Sequence, residues 1–438
     1  MKRIAVCVYT TNAGVTIPAV EIASAIARLH DDVVITFFTY RGNSPGGKKR
    51  TVDYEHLIQG FDVSYFGGED IVLDDAMWQA FLRAEVNHEG FFPPPYDVVA
   101  TKYLQAVIDT LTEYQPDIIV YGLFPEVALA AAIQGWKSVY YAAIEKNSYM
   151  DWLSRNSDTL AKNGLVQAKS SSIRKNPWSV IQNAAIECGQ KLKDSHDFMN
   201  AIRPSHTALC DFERFYEKET LTPGVTIVGP IIPSTTNSSS PTMQQIEAFL
   251  KSGDKKDQDP SHIKVLLCMG STGSVQIFVE GFKALSNATP GEFRSVVMVP
   301  ACLHDSHFAN ESLSSATNNK DILIVKDFVP VRTILKWVDV LICSGSQCAQ
   351  CGLAAGLPIV GVPRQAEQYH NLQNIEECNA GVCILPLDWK EKRIREALHC
   401  VGNEPSYKTE ALNLQHEFFR DGGGAEQVAS LVWDTLTC

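Results

Sequence analysis

Three short segments combine glycine, hydroxyl side chains and amides in a pattern suited to binding an anion beside a polyhydroxylated group. Met269-Gly-Ser-Thr-Gly-Ser274 lies between an apolar run and a helical pattern. Gly270 lets the backbone approach a ligand, Ser271 and Thr272 supply hydroxyls, and a following helix N-terminus favours negative charge. Cys343-Ser-Gly-Ser-Gln-Cys-Ala-Gln-Cys-Gly-Leu-Ala-Ala-Gly356 has the same setting, and the amides of Ser344, Gly345, Ser346 and Gln347 can cradle a phosphate. Pro363-Arg-Gln-Ala-Glu-Gln-Tyr-His-Asn371 sets Glu367 beside Gln368, a pair able to hydrogen-bond adjacent hydroxyls. Each segment alone reads equally as an ordinary capped turn or solvated helix start. Together, with Phe328-Val-Pro330 ahead of them, they are far more specific.

A second chemistry competes for the same stretch. Cys343-x4-Cys348-x2-Cys351, with Cys378 downstream, has the spacing of an iron–sulfur loop. Against it, Cys348 and Cys351 fall on an expected helix, where cysteine serves as a small buried apolar residue. Elsewhere, the aromatic and proline-rich run Phe91-Phe-Pro-Pro-Pro-Tyr96 suits an apolar acceptor or a rigid connector. Trp78 and Phe81, three apart, read as core. His30, before Asp31-Asp32, reads as a cap at a helix C-terminus. His370 stands next to the Glu367–Gln368 pair.

The elements that must hold these loops alternate in type. Arg3–Thr10, Val33–Thr39, Asp117–Tyr121 and Val139–Ala143 are strand runs, separated by helical patterns at Ala19–Leu29, Val98–Tyr114 and Pro125–Gln134. Asn147 to Thr220 shows helical patterns and no clear strand. After Val225–Pro230 comes the polar, proline-flanked stretch Pro233–Pro241, the best linker in the chain. Alternation then resumes with strands at Lys264–Met269, Ser295–Val299, Ile322–Val325, Val338–Cys343 and Ile359–Val362. This is the pattern of parallel sheets with crossover helices, built twice.

Length and composition agree. The 438 residues suffice for two or three domains, and 45% apolar with 20% charged residues describes a globular chain. A net charge of −12 disfavours general nucleic-acid binding, despite the local basic cluster of Arg41 and Lys48–Arg50. No run approaches the ~18 apolar residues of a membrane span. The 12 cysteines form no dense secreted framework, so the expected setting is a reducing cytoplasm with free thiols.

The segment from Phe328 to Gly381 resembles the donor-binding half of the GT-B glycosyltransferases, of the family 1 nucleotide-sugar-dependent type. It has features shared with the lipid II-forming N-acetylglucosaminyltransferase. The features are an aromatic-x-Pro entry, a strand ending in a glycine-containing loop, Ala354-Ala-Gly-Leu-Pro-Ile-Val-Gly-Val-Pro363, the acid–Gln pair and Asn371. The loop at Met269–Ser271, Val228-Gly-Pro230 and Gly422-Gly-Gly-Ala425 add to it. The resemblance is strong over residues 225–438 and weaker before.

It implies an α/β protein of two Rossmann-like domains facing across a cleft. Residues 1–228 would bind the acceptor, 229–242 link, 243–415 bind the nucleotide sugar, and a last helix from about His416 return to the first domain. By family position Phe328 stacks on the base and Val329 pairs with it. Gly270, Ser271, Thr272 and the Ser344–Gln347 loop hold the diphosphate, and Glu367 and Gln368 hold sugar hydroxyls. The expected partners are a nucleotide sugar, UDP-linked, and a small or lipidic acceptor, with inversion and no metal or other cofactor. A protein partner is the alternative if catalysis is absent.

The departures bear on that alternative. The family's Gly-His-x-x-Pro, whose histidine is the general base, is here Gly14-Val15-Thr16-Ile17-Pro18, and valine accepts no proton. The partner acid falls near Tyr121-Gly122, a diphosphate-binding histidine on Cys343, a ribose-binding glutamate on Cys351, and a glutamine after aromatic-x-Pro on Val331. Four side chains remain as replacement bases: Glu126, Tyr9, Asp151 and His88.

Overall fold

The computed structural model describes residues 1–10, 13–41, 54–68, 94–122, 124–144, 146–165, 183–188, 204–217, 220–234, 240–251, 262–270, 274–300, 303–304, 313, 319–327, 329–420 and 423–438. The expected bases at His88 and the Phe91–Pro93 stretch lie outside these residues, as do Ser271, Thr272, Phe328, Trp78 and Phe81.

The first sheet comprises β1 (Lys2–Cys7), β2 (Val33–Thr39), β3 (Asp62–Tyr65), β4 (Ile118–Tyr121), β5 (Ser138–Ala142), β6 (His206–Leu209) and β7 (Val225–Ile227). They stand in the order 3-2-1-4-5-6-7, every pairing parallel. Ile4 to Val8 and Ile118 to Val120 are at most 1% exposed, which is why they read as unbroken apolar runs: helices cover both faces of the sheet. Those helices include α1 (Ala13–Leu29), α2 (Pro94–Tyr114), α3 (Pro125–Gln134) and α4 (Lys146–Lys162). Pro125 opens α3, and Gly135 closes it in the left-handed conformation, its N–H bonded to Ala131 O.

The second sheet repeats the plan. Its strands are β8 (Ile263–Cys268), β9 (Phe293–Met298), β10 (Ile322–Val325), β11 (Val340–Cys343), β12 (Ile359–Gly361) and β13 (Gly381–Cys383), in the order 10-9-8-11-12-13, again all parallel. Around it lie α5 (Pro241–Lys251), α6 (Val275–Ser286), α7 (Val331–Leu335), α8 (Gln347–Ala354), α9 (Ala366–Glu377), α10 (Glu391–Asn403) and α11 (Pro405–Arg420). In each sheet the order reverses once, between β1 and β4 and between β8 and β11. Such switch points open a crevice at the strand C-termini.

The returning helix starts later than the sequence suggests. His416 lies inside α11, whose Ala411 and Leu414 belong to the second domain's core. The helix that packs on the first domain is α12 (Gly424–Thr437), which buries Val428, Ala429, Val432 and Leu436 with Ile22 and Ile26 of α1. Gly424 permits this docking, since a Cβ there would stand 2.2 Å from Gly229 O. The His30 ring stacks flat on Trp433 of α12, centroids 3.8 Å apart, so this histidine packs the returning helix instead of capping α1. Among the described residues no helix is long and apolar enough to cross a membrane.

Strand β6 was not expected. Its His-Thr-Ala-Leu sequence is four residues long and only half buried, too brief and mixed to stand out from the helical stretch around it. β3 and β13 are similarly short edge strands.

Candidate active site

At the second switch point, the loops after β8 and β11 are tied together. Ser344, 3% exposed, donates its Oγ–H to Met269 O at 3.4 Å. Gly345 has φ +86°, and a Cβ would meet Leu372 Cγ at 2.6 Å and Gln368 O at 2.7 Å. Both the backbone conformation and the space demand glycine. Asn371 Nδ2 donates to Gly345 O at 3.0 Å, fixing the loop from α9. Ser346 precedes α8 with an extended backbone and no side-chain cap bond. Ser346 therefore caps no amide in the first turn of α8, and a helix N-terminus of this kind favours negative charge.

Gln368 is 6% exposed, and its Oε1 accepts from the N–H of Arg364 at 2.9 Å. That bond orients the amide through its oxygen. Glu367 sits in the first turn of α9. Val329 is buried in the second domain's core. Cys343 and Cys351 are buried, and their thiols are pushed up to about 12, mainly by burial. Among the described residues no group of three or more His, Cys, Asp and Glu side chains converges as metal ligands, and every described cysteine is a free thiol. Cys343 ends a strand and Cys348 and Cys351 lie on the following helix, which is how the iron–sulfur-like spacing arises.

The two domains touch beside this loop. Trp152 of α4 donates its Nε1–H to Gln373 of α9 at 2.8 Å. Its ring lies edge-on to His370 (centroids 5.0 Å) and Tyr369 (5.5 Å). Leu160, Leu165 and Ala366 complete this apolar seam. Burial holds the His370 imidazole down at about 4, hence neutral. This histidine, 3% exposed, is part of the seam. Gln350 of α8 donates to Cys210 O at 3.2 Å from the same side. Next to it Asp211, 2% exposed, accepts from Phe212 N–H (2.9 Å) and Tyr216 OH (3.1 Å), and burial raises its carboxyl to about 7.

At the first switch point Tyr141 packs between Val15 and Gly122. A Cβ on Gly122 would lie 2.6 Å from the Tyr141 ring, and the Tyr141 hydroxyl donates to Val15 O at 2.9 Å. Tyr141 thus occupies the space between Val15 and Gly122. Tyr121 points elsewhere, into the core against Tyr140. Of the four replacement bases, two meet. Tyr9, just after β1, donates its hydroxyl to Glu126 Oε2 at 2.8 Å, and its ring stacks on Phe124 at 4.0 Å. Glu126 is 1% exposed in the first turn of α3, and burial raises its carboxyl to about 7. Burial and the nearby Glu126 also push the Tyr9 phenol well up. Asp151 lies on α4.

The comparisons with known proteins divide along the same line as the motifs. Over residues 314–421 the chain matches the family model described as UDP-glucoronosyl and UDP-glucosyl transferase. Superposition covers the whole chain. The glycosyltransferase of kitacinnamycin matches 99% of this chain and 98% of its own, with TM-score 0.67 and 14% identity. The calicheamicin glycosyltransferase matches 100% and 98%, with TM-score 0.64 and 16% identity. The fold is that of the GT-B glycosyltransferases. Sequence relatives match less of the chain. A rhamnosyltransferase of PGL/p-HBAD biosynthesis from Mycobacterium tuberculosis is 31% identical over 104 residues, 24% of this chain and 23% of its own length. The NDP-glycosyltransferase YjiC of Bacillus licheniformis is 31% identical over 102 residues, 23% and 26%. The chain thus aligns with about a quarter of the length of these curated relatives.

Proposed function

We propose that this chain is a glycosyltransferase that moves a sugar from a nucleoside diphosphate to an acceptor hydroxyl. The observation that carries this reading is the loop at the β8/β11 switch point. There Ser344 donates to Met269 O, Asn371 donates to Gly345 O, and Ser346 leaves the start of α8 without a side-chain cap, within the segment that matches a transferase family. Sugars linked to UDP and to thymidine diphosphate are the two donor classes: the family model names UDP-sugars, and a structurally similar spinosyn rhamnosyltransferase is complexed with thymidine diphosphate (TM-score 0.60, 14% identity).

The chemistry is a direct displacement with inversion. The acceptor oxygen attacks the anomeric carbon as the bond to the diphosphate breaks. The amides of Ser344–Gln347 and the α8 terminus stabilise the negative charge gathering on the leaving group. Gln368 and Glu367 hold sugar hydroxyls. For the acceptor proton we assign Tyr9 and Glu126. As the Tyr9 oxygen takes the proton, its own passes to Glu126 Oε2, whose carboxyl near pH 7 is matched to that task. The acceptor is a small or lipidic alcohol bound by the first domain, and the residues require no metal in this scheme.

One observation favours a second reading, a silent GT-B scaffold that binds a nucleotide sugar or a protein. It is Tyr141 closing the space of the family's dyad. A transfer screen decides between them. UDP- and TDP-sugars are incubated with a panel of phenolic, macrocyclic and lipid alcohols, and diphosphate release and product mass are read for wild type and Glu126→Gln. Product formed by wild type and lost in the variant supports the transferase. No product with any pair, alongside intact nucleotide binding, supports the scaffold.

A further inference from the structure

One of the cysteines with iron–sulfur spacing, Cys348, meets a cysteine outside that set. Cys268 ends β8, and Cys348 is the second residue of α8; their sulfurs are 3.7 Å apart across 80 residues of sequence. β8 and β11 are adjacent parallel strands in register through Leu267 and Ile342. The two thiols therefore stand under the two loops that frame the crevice, one on each. We propose that Cys268 and Cys348 form a thiol–disulfide site. A peroxide, or another small two-electron oxidant, closes it and locks the β8 loop to the first turn of α8.

Three observations support it. A disulfide needs its sulfurs at about 2.05 Å, so closure from 3.7 Å asks for about 1.7 Å of approach, shared between side-chain rotation and a shift of the first turn of α8 toward β8. The two thiols divide the roles: the contact with Cys348 and the Gly270 N–H hold the Cys268 thiol below its ordinary value, burial opposing them, while Cys268 and burial push the Cys348 thiol well up, so Cys268 is the attacking sulfur. Cys268 is 5% exposed while Cys348 is partly exposed, so an entry side exists.

The step balances. The Cys268 thiolate attacks the peroxide, the O–O bond breaks, and hydroxide leaves and takes a proton as water. The Cys348 sulfur then displaces the remaining oxygen as a second water, forming the S–S bond. Two thiols lose two electrons, and the peroxide gains them. The consequence for ligand binding rests on the donor-site reading above. Pulling the first turn of α8 toward Met269–Gly270 displaces the amides meant for the diphosphate, so oxidation weakens UDP binding by about tenfold or more.

The full chain is treated with hydrogen peroxide or with dithiothreitol, digested without reduction and mapped by mass spectrometry. UDP titrations follow on both forms. The expected result is a Cys268–Cys348 cross-linked peptide, absent in Cys348→Ser and in Cys268→Ser and kept in Cys438→Ser, with UDP affinity lost on oxidation and restored by dithiothreitol. Cross-links to Cys343 or Cys351 instead, or none at position 268, overturn the site. A cross-link with UDP affinity unchanged overturns the lock. If the reduced protein binds no nucleotide, the donor reading fails while the peptide map still decides the thiol pair.

Discussion

The hydroxyl of Tyr141 donates to the carbonyl oxygen of Val15 across 2.9 Å, with the Tyr141 ring lying over Gly122. One side chain from β5 thus fills the space between two positions that carry a base and an acid in the family this chain resembles. The substitutions at Val15 and Gly122 are therefore coupled by packing. Gly122→Ala forces its Cβ to within 2.6 Å of the ring and is expected to cost about 1–3 kcal/mol as an overpacking change. Tyr141→Gly carries its own cavity cost, but the double variant should lose less than the two single losses combined. Denaturant melts of the three variants check this.

Glu126→Gln should lower transfer by about 10²–10⁴-fold with UDP binding unchanged, because the residue serves the acceptor side. Tyr9→Phe should do the same to a lesser degree. Glu126 must be ionised to take a proton, and its carboxyl lies at about 7. The wild-type transfer rate should therefore rise through pH 7 and level off above it, whereas the residual rate of Glu126→Gln should not follow that curve. Rate–pH profiles of both proteins provide the check.

The same burial makes stability depend on pH with a definite sign. Glu126 and Asp211 both have carboxyls raised to about 7 in the folded chain. Folded protein thus holds these protons more tightly than unfolded chain does. Their contribution is fully present below the ordinary carboxylate range and is lost as pH rises toward 7. Melting temperature should fall between pH 5 and pH 8. Glu126→Gln and Asp211→Asn should each flatten part of that fall.

Trp152 joins the domains through a hydrogen bond and a ring contact, so its variants should separate the two. Trp152→Phe keeps the edge-on packing on His370 and loses the donor to Gln373, at about 1 kcal/mol. Trp152→Ala loses both, at about 3–5 kcal/mol. Thermal melts measure the cost, and small-angle scattering should show a more open particle for Trp152→Ala alone.

The sequence carried the local parts of this account and not the tertiary ones. Strands such as Ile4–Val8 and Ile118–Val120 are legible because parallel sheets bury both faces and leave unbroken apolar runs. The Gly345 loop is legible because a strand, a glycine and a helix start are neighbours in sequence. β6 is not, since four mixed residues carry no period. Tyr9 and Glu126 were both singled out, yet their pairing spans 117 residues. Neither Tyr141 nor the Cys268–Cys348 contact has any local sign. His30 was misassigned because its partner, Trp433, lies at the far end of the chain.

The central claim is that the β8/β11 crevice holds a nucleoside diphosphate. Calorimetric titration of the reduced full chain with UDP and with TDP tests it most directly, with Ser344→Asp alongside and circular dichroism to confirm its fold. Binding of at least one nucleotide by wild type, abolished when a carboxylate replaces the Ser344 hydroxyl beside the loop, is the predicted result. Failure of wild type to bind either nucleotide at millimolar concentration, or equal binding by folded Ser344→Asp, would contradict the account.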